Sequence, residues 1–287
     1  MSFLIVMCGL SGSGKSTIAK NLQKQLKCEV IATDDIREEL GDVNDQTQNS
    51  KVFHIFYERI KEALRKGKTV VADATFLTLK DRHRLLREVD EVERSCGHVT
   101  KAIIVVGRKI ESCLELNAAR DRIVPEEVIY RQRAKFQIPF EEEGWDRVHI
   151  LTNGDKDYAT LVLEMNNFNQ KTPHHKYDLL THSIFVWSDF NKQDGAIFHD
   201  YGKLFTQTFD NDGVAHYYNH ENVGAYEIMT NYDNGADLNL LFLINYHMMP
   251  FGWNSDKARN KWRRIFGKEK YEMLVRFNEC DIRRGKK

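Results

Sequence analysis

Nine residues near the amino end constrain this chain more than any others. Gly9-Leu10-Ser11-Gly12-Ser13-Gly14-Lys15-Ser16-Thr17 follows a β-type apolar run at residues 3–7 and opens a stretch with helix-spaced apolar positions. A glycine, four residues, then Gly-Lys-Ser is the spacing of a phosphate loop. Glycines let the backbone curl so that successive N–H groups point inward at phosphate oxygens, and the helix behind adds partial positive charge. Lys15 would bring a full charge to the β- and γ-phosphates, and Ser16 a hydroxyl to Mg²⁺. Gly9, Ser11, Gly12, Ser13, Gly14, Lys15, Ser16 and Thr17 are therefore expected to hold ATP or another nucleoside triphosphate, with Ser16 also a metal ligand.

The rest of the first half agrees with such a loop. β-type runs at 29–33, 69–72, 102–106 and 148–151 alternate with amphipathic stretches at Lys15–Leu26, 48–65, 79–93 and 110–120. Strand and helix in alternation imply a parallel sheet with helices on both faces. After about residue 151 the pattern changes to helices separated by polar turns, with turns expected at 189–194 and 210–213. The length, 287 residues, suits two domains of ordinary size. The expectation is an α/β domain at 1–152 followed by an all-α domain at 153–287, joined by the polar stretch 166–176 that contains Pro173. With 41% hydrophobic and 29% charged residues, both can build packed cores.

A phosphate loop says triphosphate, and the acceptor must be read elsewhere. Ile31-Ala32-Thr33-Asp34-Asp35-Ile36-Arg37 places two carboxylates and an arginine just past a strand's carboxyl end, where ligands bind in such sheets. Asp34 there can take a proton from an attacking hydroxyl and Arg37 can hold an acceptor phosphate. For Asp35 the alternative is capping a helix that starts near Ile36. Asp73, ending Val70-Val71-Ala72-Asp73, would sit beside the loop, for a metal-bound water or for the acceptor. Arg120 and Arg122 in Asn117-Ala118-Ala119-Arg120-Asp121-Arg122 can close over the phosphates as a lid, or simply be solvated at a helix end. Arg131, Arg133 and Lys135 stay undecided between the two.

These elements, GLSGSGKST, TDDIR, VADAT with LKDR, and ARDRIVPEEV, resemble the phage-type polynucleotide 5′-kinase family of P-loop kinases over most of residues 1–150. The resemblance implies that Asp34 is the general base on a 5′-hydroxyl and that Arg37 contacts the acceptor's phosphate. Asp73 would support the acceptor site, and Arg120 and Arg122 would act in the lid. Ala74 stands where family members often carry a polar side chain.

The second half carries a different constellation: His182, the pair His199-Asp200 in HDYGK, His220, His247 and Asp281. Neutral imidazoles and carboxylates suit Mn²⁺, Ni²⁺, Co²⁺, Fe or Zn²⁺, and separate helices can supply them to one point. The order resembles the HD metal-dependent phosphohydrolase superfamily over roughly 174–284. By that resemblance His182, His199, Asp200 and Asp281 hold one metal, His220 and His247 complete a second or bind phosphate, and Lys203 contacts the scissile phosphate. A bound metal would acidify water toward a neutral-pH hydroxide. His216 stays open between accessory ligand, acid and surface, while His174 and His175 read as surface or linker.

Lys+Arg and Asp+Glu both number 42, so no global field draws in nucleic acid, and local basic patches must do so. The run Lys257-Ala258-Arg259-Asn260-Lys261-Trp262-Arg263-Arg264 is one candidate, or else a solvated helix with Trp262 in the core. Five cysteines without a CxxC pair argue against a disulfide scaffold and for a reducing, cytoplasmic setting. No membrane span or signal is expected. Both halves together suggest a bifunctional nucleic-acid end-healing enzyme. It would be an ATP-dependent 5′-hydroxyl kinase and a 3′-phosphatase or 2′,3′-cyclic phosphatase acting on RNA or DNA ends before a separate ligase. The competing readings are a nucleoside, nucleotide or modified-base DNA kinase fused to an HD nucleotidase, and a kinase with a non-catalytic HD binding module.

Overall fold

The computed structural model describes residues 2–41, 47–120, 122–172 and 176–285. It divides into two compact units, 1–132 with 143–151, and 133–142 with 152–287. Residues 133–142, expected in the first domain, thus pack with the second, where Phe140 meets Phe242 and Phe266 in edge contacts. The polar stretch 166–172 lies within the second unit, where Gln170 is buried. Pro173, His174 and His175 lie outside the described residues.

The first unit is a five-stranded parallel sheet in the order β2-β3-β1-β4-β5, built from β1 (Ser2–Cys8), β2 (Glu29–Ala32), β3 (Thr69–Asp73), β4 (Val99–Val106) and β5 (Arg147–Leu151). Its helices are α1 (Lys15–Leu26), α2 (Thr33–Glu39), α3 (Asn49–Arg65), α4 (Leu79–Cys96), α5 (Ile110–Ala118) and α6 (Glu126–Arg133), the last ending in the other unit. The central strands are continuous apolar runs because both faces are covered. Ile5, Met7 and Val71 meet Ala19, Ile18 and Leu22 of α1 on one face, and the alternate residues Leu4, Val6, Val70 and Ala72 are fully buried on the other. β5 is one of the two edge strands, with Arg147, His149 and Leu151 exposed.

Under the sheet's end lies a pair that the hydrophobic pattern does not reveal. Arg82 of α4 is fully buried, and its Nε and Nη2 donate to both carboxylate oxygens of Glu143 at 2.7 and 2.6 Å. Phe76 O accepts from Arg82 Nη1, and Trp145 Nε1 donates to Glu143. A fully buried charge survives only when paired and hydrogen-bonded in this way.

The second unit is mainly helical: α7 (Tyr158–Glu164), α8 (Leu179–Asp189), α9 (Asp194–Ile197), α10 (Lys203–Thr206), α11 (His220–Asn231), α12 (Leu238–Tyr246) and α13 (Asp256–Gly285). It departs from an all-α expectation by one antiparallel hairpin, β6 (Gln207–Phe209) and β7 (Ala215–Tyr217). Its turn is held by Asp210, which accepts from the N–H groups of Asp212 and Val214. Three-residue strands carry too little periodicity to be seen in sequence. α13 is two helices broken at Gly267, whose φ of 73° ends the first. No helix among the described residues is long and apolar enough to cross a membrane.

Candidate functional site

Parallel pairing gathers the first unit's motifs at the carboxyl ends of the strands. Asp73 lies in register with Met7 of β1 and Ala32 of β2, so the loop after Cys8, the carboxylate of Asp73 and the start of α2 emerge together. The loop's glycines are required by space. Gly12 has φ of 80°, and a Cβ there would stand 2.1 Å from Cys113 O. Gly14, at φ 97°, caps α1 in the left-handed region. Ser13 N donates to Leu10 O, and Lys15 Nζ donates to the same carbonyl at 2.7 Å. Ser13 Oγ is buried without a hydrogen-bond partner among the described residues, an orphan that a phosphate oxygen would satisfy.

Burial pulls the Lys15 ammonium below its ordinary value, opposed by Asp73. Burial raises the Asp73 carboxyl, opposed by a hydrogen bond from Ser16 and by Lys15. Ser16 and Asp73 thus form the oxygen pair that a Mg²⁺ ion would join, and the donor set fits such a hard cation.

α2 begins at Thr33, three residues earlier than expected, so Asp34 and Asp35 both lie in its first turn. Asp34 is held by three arginines: Arg37 at 3.3 Å, Arg120 at 3.5 Å and Arg122 in the shortest contact. Arg37 also donates to Asn49 Oδ1 at 2.7 Å and is lowered by burial against the pull of Asp34. The residues expected at the acceptor and in the lid therefore meet on one carboxylate. Asp121 lies outside the described residues.

Sequence reasoning missed Asn117 and Gln132. Asn117 is buried and pairs with Val124 in both directions, its Nδ2 donating to the carbonyl and its Oδ1 accepting from the N–H, which ties together the two ends of the arginine-bearing segment. Gln132 Oε1 accepts from Ser11 N at 2.8 Å and its Nε2 donates to Ser11 Oγ at 3.0 Å. A buried-polar amide facing a motif is a signal only once the fold is known.

In the second unit the six expected side chains converge. His182 on α8 and Asp281 on α13 are 3.1 Å apart, and His199 Nε2 is 3.7 Å from Asp281. Asp200 stands between two groups. Its Oδ2 faces His199 at 3.2 Å and His182 at 3.7 Å, while its Oδ1 faces His220 at 3.1 Å and His247 at 3.8 Å. Two triads result, His182–His199–Asp281 and Asp200–His220–His247, each with candidate ligand atoms within 4.8 Å of one another. His199 and Asp200 lie in a turn after α9, so a turn and not only helices supplies ligands.

The turn reaches the cage because two glycines let backbones touch. A Cβ on Gly202 would stand 1.9 Å from His220 O and 2.6 Å from Gly224 N, so only glycine allows the His199–Lys203 turn to lie on α11. The imidazoles are oriented from behind. Nδ1 of His199, His220 and His247 each contacts the carbonyl three residues earlier (Ala196, Tyr217, Ile244) at 2.7, 2.9 and 2.8 Å. A backbone carbonyl takes a proton from Nδ1, which leaves the Nε2 lone pair aimed into the cage.

The donor set suits a divalent cation. His220 and His247 Nε2 lie 3.3 Å apart, and two lone pairs at that distance need a proton or a metal between them. Burial, then His199 and His220, push His247 down to about 3, so it is a neutral donor. Burial opposes protonation of His199, but Asp200 and Asp281 outweigh it and hold it above its ordinary value. Asp200 is driven well below the carboxylate range despite burial, by Lys203, His199 and His220.

Lys203 Nζ contacts Asp200 Oδ2 at 2.6 Å and Gln170 Oε1 at 2.9 Å, and lies 5.4 Å from the Tyr217 ring centroid. Gln170 and Tyr217 were not expected at a site. His216 stands apart from the cage, half-exposed, its Nε2 3.0 Å from Asp210 Oδ2 and its ring stacked on Tyr218. Trp262 in the basic run stacks on the fully buried Phe266.

Known proteins match parts of this chain. A family model described as an AAA domain matches residues 4–139. The L-seryl-tRNA(Sec) kinase of Methanococcus maripaludis is 27% identical over 209 residues, covering 70% of this chain and 80% of that protein. Among solved structures, a putative kinase from Chloroflexus aurantiacus matches at 15% identity and TM-score 0.41, over 52% of this chain and 87% of its own. The Pnkp1/Rnl/Hen1 RNA repair complex matches at 16% and TM-score 0.39, over 47% and 43%. The parallel sheet and its loop give the first unit the α/β fold of P-loop kinases.

Proposed function

We propose that this chain heals nucleic-acid ends with two chemistries: an ATP-dependent 5′-hydroxyl polynucleotide kinase in the first unit and a metal-dependent 3′-phosphatase or 2′,3′-cyclic phosphatase of HD type in the second. The observation that carries the reading is the gathering of His182, His199, Asp281 and of Asp200, His220, His247 into two adjoining triads, in a chain that also holds a phosphate loop. Many RNA-cleaving nucleases leave a 5′-hydroxyl and a 2′,3′-cyclic or 3′-phosphate, so the pair of activities addresses both ends before a ligase seals them.

In the kinase half, the loop amides and Lys15 hold the phosphates, with Ser16 and Asp73 available to Mg²⁺. Asp34 takes the proton of the acceptor hydroxyl as its oxygen attacks the γ-phosphorus and the bond to ADP breaks. Asp34 can do so only after its arginines let go, and phosphate oxygens are the natural competitors for Arg120 and Arg122. In the phosphatase half, the two triads would hold a divalent metal, which would supply water acidification and polarisation of the phosphoryl group. Asp200 is the carboxylate shared between the triads, the three Nδ1 anchors fix the imidazole donors, and Lys203 offers its ammonium to phosphate.

A second reading has one observation behind it. The seryl-tRNA kinase alignment covers 70% of this chain, which favours a hydroxyl carried on a tRNA-linked amino acid as acceptor. Incubation with γ-labelled ATP and Mg²⁺ separates the two: label on a 5′-hydroxyl oligonucleotide supports end healing. Label on an aminoacyl-tRNA alone removes it. Phosphate release from 3′-phosphate or 2′,3′-cyclic ends with Mn²⁺, Ni²⁺ or Co²⁺ is the matching test of the second unit, and no release with any of them removes that half.

A further inference from the structure

We infer that Gln132 is the residue that senses and positions the terminal phosphate of the nucleotide. One peptide group, Leu10–Ser11, links the loop's lysine to Gln132. Its carbonyl accepts from Lys15 Nζ at 2.7 Å and from Ser13 N at 3.1 Å. Its N–H donates to Gln132 Oε1 at 2.8 Å, and the Ser11 hydroxyl accepts from Gln132 Nε2 at 3.0 Å. In a phosphate loop the lysine serves the β- and γ-phosphates while the later amides cradle the α- and β-phosphates. The contact with Lys15 therefore marks the Leu10–Ser11 peptide as the γ end of the cradle. Gln132 is the side chain that covers it from α6, just beyond the segment that carries Arg120 and Arg122.

The chemistry of a carboxamide suits the task. Its NH₂ carries two donors, of which Ser11 Oγ takes one, and its oxygen fixes the Ser11 N–H. A neutral donor beside a phosphoryl group whose charge spreads in the transition state helps orient it without the pull of another full cation on the ground state. A diphosphate does not reach this end. The residue therefore separates triphosphate from diphosphate and holds the group that moves. None of this depends on which hydroxyl accepts it.

The test uses the full chain with Mg²⁺ and compares two ligands by calorimetry, a non-hydrolysable imido analogue of ATP and ADP. Gln132→Glu places a carboxylate at the γ end, and the triphosphate analogue is expected to bind about tenfold more weakly or worse while ADP stays within about twofold. Gln132→Met keeps the length without the polar group and is expected to weaken the analogue about three- to tenfold, again sparing ADP. Ser11→Ala keeps the peptide N–H and is expected to change either ligand less than Gln132→Glu does. Equal weakening of both ligands by Gln132→Glu and Gln132→Met would mean that Gln132 only props the loop, and no change with either variant would mean that it plays no part. Either result overturns the inference, and retained ADP binding is the control that the variants fold.

Discussion

The two centres are built by opposite strategies. The phosphate loop is made of consecutive backbone, residues 9–17, shaped by Gly12 and Gly14 and completed by a single lysine. The cage is made of six side chains spread from His182 to Asp281, brought together by α8, α11, α13 and two intervening turns. A backbone site keeps its geometry as long as one turn is intact. A side-chain cage depends on the packing of every element that carries a ligand, here down to the contact of Gly202 with His220. The first kind tolerates change around it, and the second does not.

That contrast can be strained from either side. Asp34→Asn removes both the proton acceptor and the partner of three arginines, and the kinase turnover is expected to fall about 10²- to 10⁴-fold, measured with saturating ATP and acceptor. Metal binding in the second unit should not move. Glu143→Ala leaves the Arg82 guanidinium buried and unpaired, and thermal unfolding should report a loss of about 3–5 kcal/mol in the first unit. Nucleotide affinity at low temperature should survive, because the loop is not touched.

Gly202→Ala asks how tightly the cage is packed. The added methyl has no room beside His220 O, and a cost of about 1–3 kcal/mol is expected for overpacking, with weaker Mn²⁺ binding by calorimetry. Unaltered Mn²⁺ affinity would show that the turn can shift without moving His199 and Asp200.

The smallest expected effect is on pH dependence. The folded-state value of His199 is raised, so its proton stabilises the cation-free unit below the ordinary histidine range, about 6.5. That stabilisation is lost as pH rises through the raised value. A cation must displace the same proton, so divalent affinity should increase with pH across that window. Calorimetry in two buffers of different ionisation enthalpy should detect proton release, and its absence would place the proton elsewhere.

Legibility in the sequence follows the same divide. The loop and α1 were readable to the residue, since a glycine spacing and a 3.6-residue period are local signals, and the strands followed from their apolar runs. The six cage ligands were readable only by resemblance and order, because nothing local shows that residues a hundred positions apart will meet. Asn117, Gln132 and Gln170 were invisible, since a polar residue at a helix end or in a loop looks solvated until its partner is known. The hairpin at β6 and β7 was missed because three residues carry no period. The start of α2 was misplaced because Thr33 ends an apolar run and was counted with the strand.

Two separate centres of phosphate chemistry in one chain can be tested with a single oligonucleotide. An RNA bearing a 5′-hydroxyl and a 2′,3′-cyclic phosphate is incubated with ATP, Mg²⁺ and Mn²⁺, using the wild-type chain, Lys15→Ala and Asp200→Ala, and both ends are analysed. The expected result is that wild type alters both ends, Lys15→Ala loses 5′ phosphorylation by at least about 10²-fold while still opening the 3′ end, and Asp200→Ala does the reverse. A wild-type chain that leaves the 3′ end untouched, or an Asp200→Ala variant that releases phosphate as fast as wild type, would contradict it.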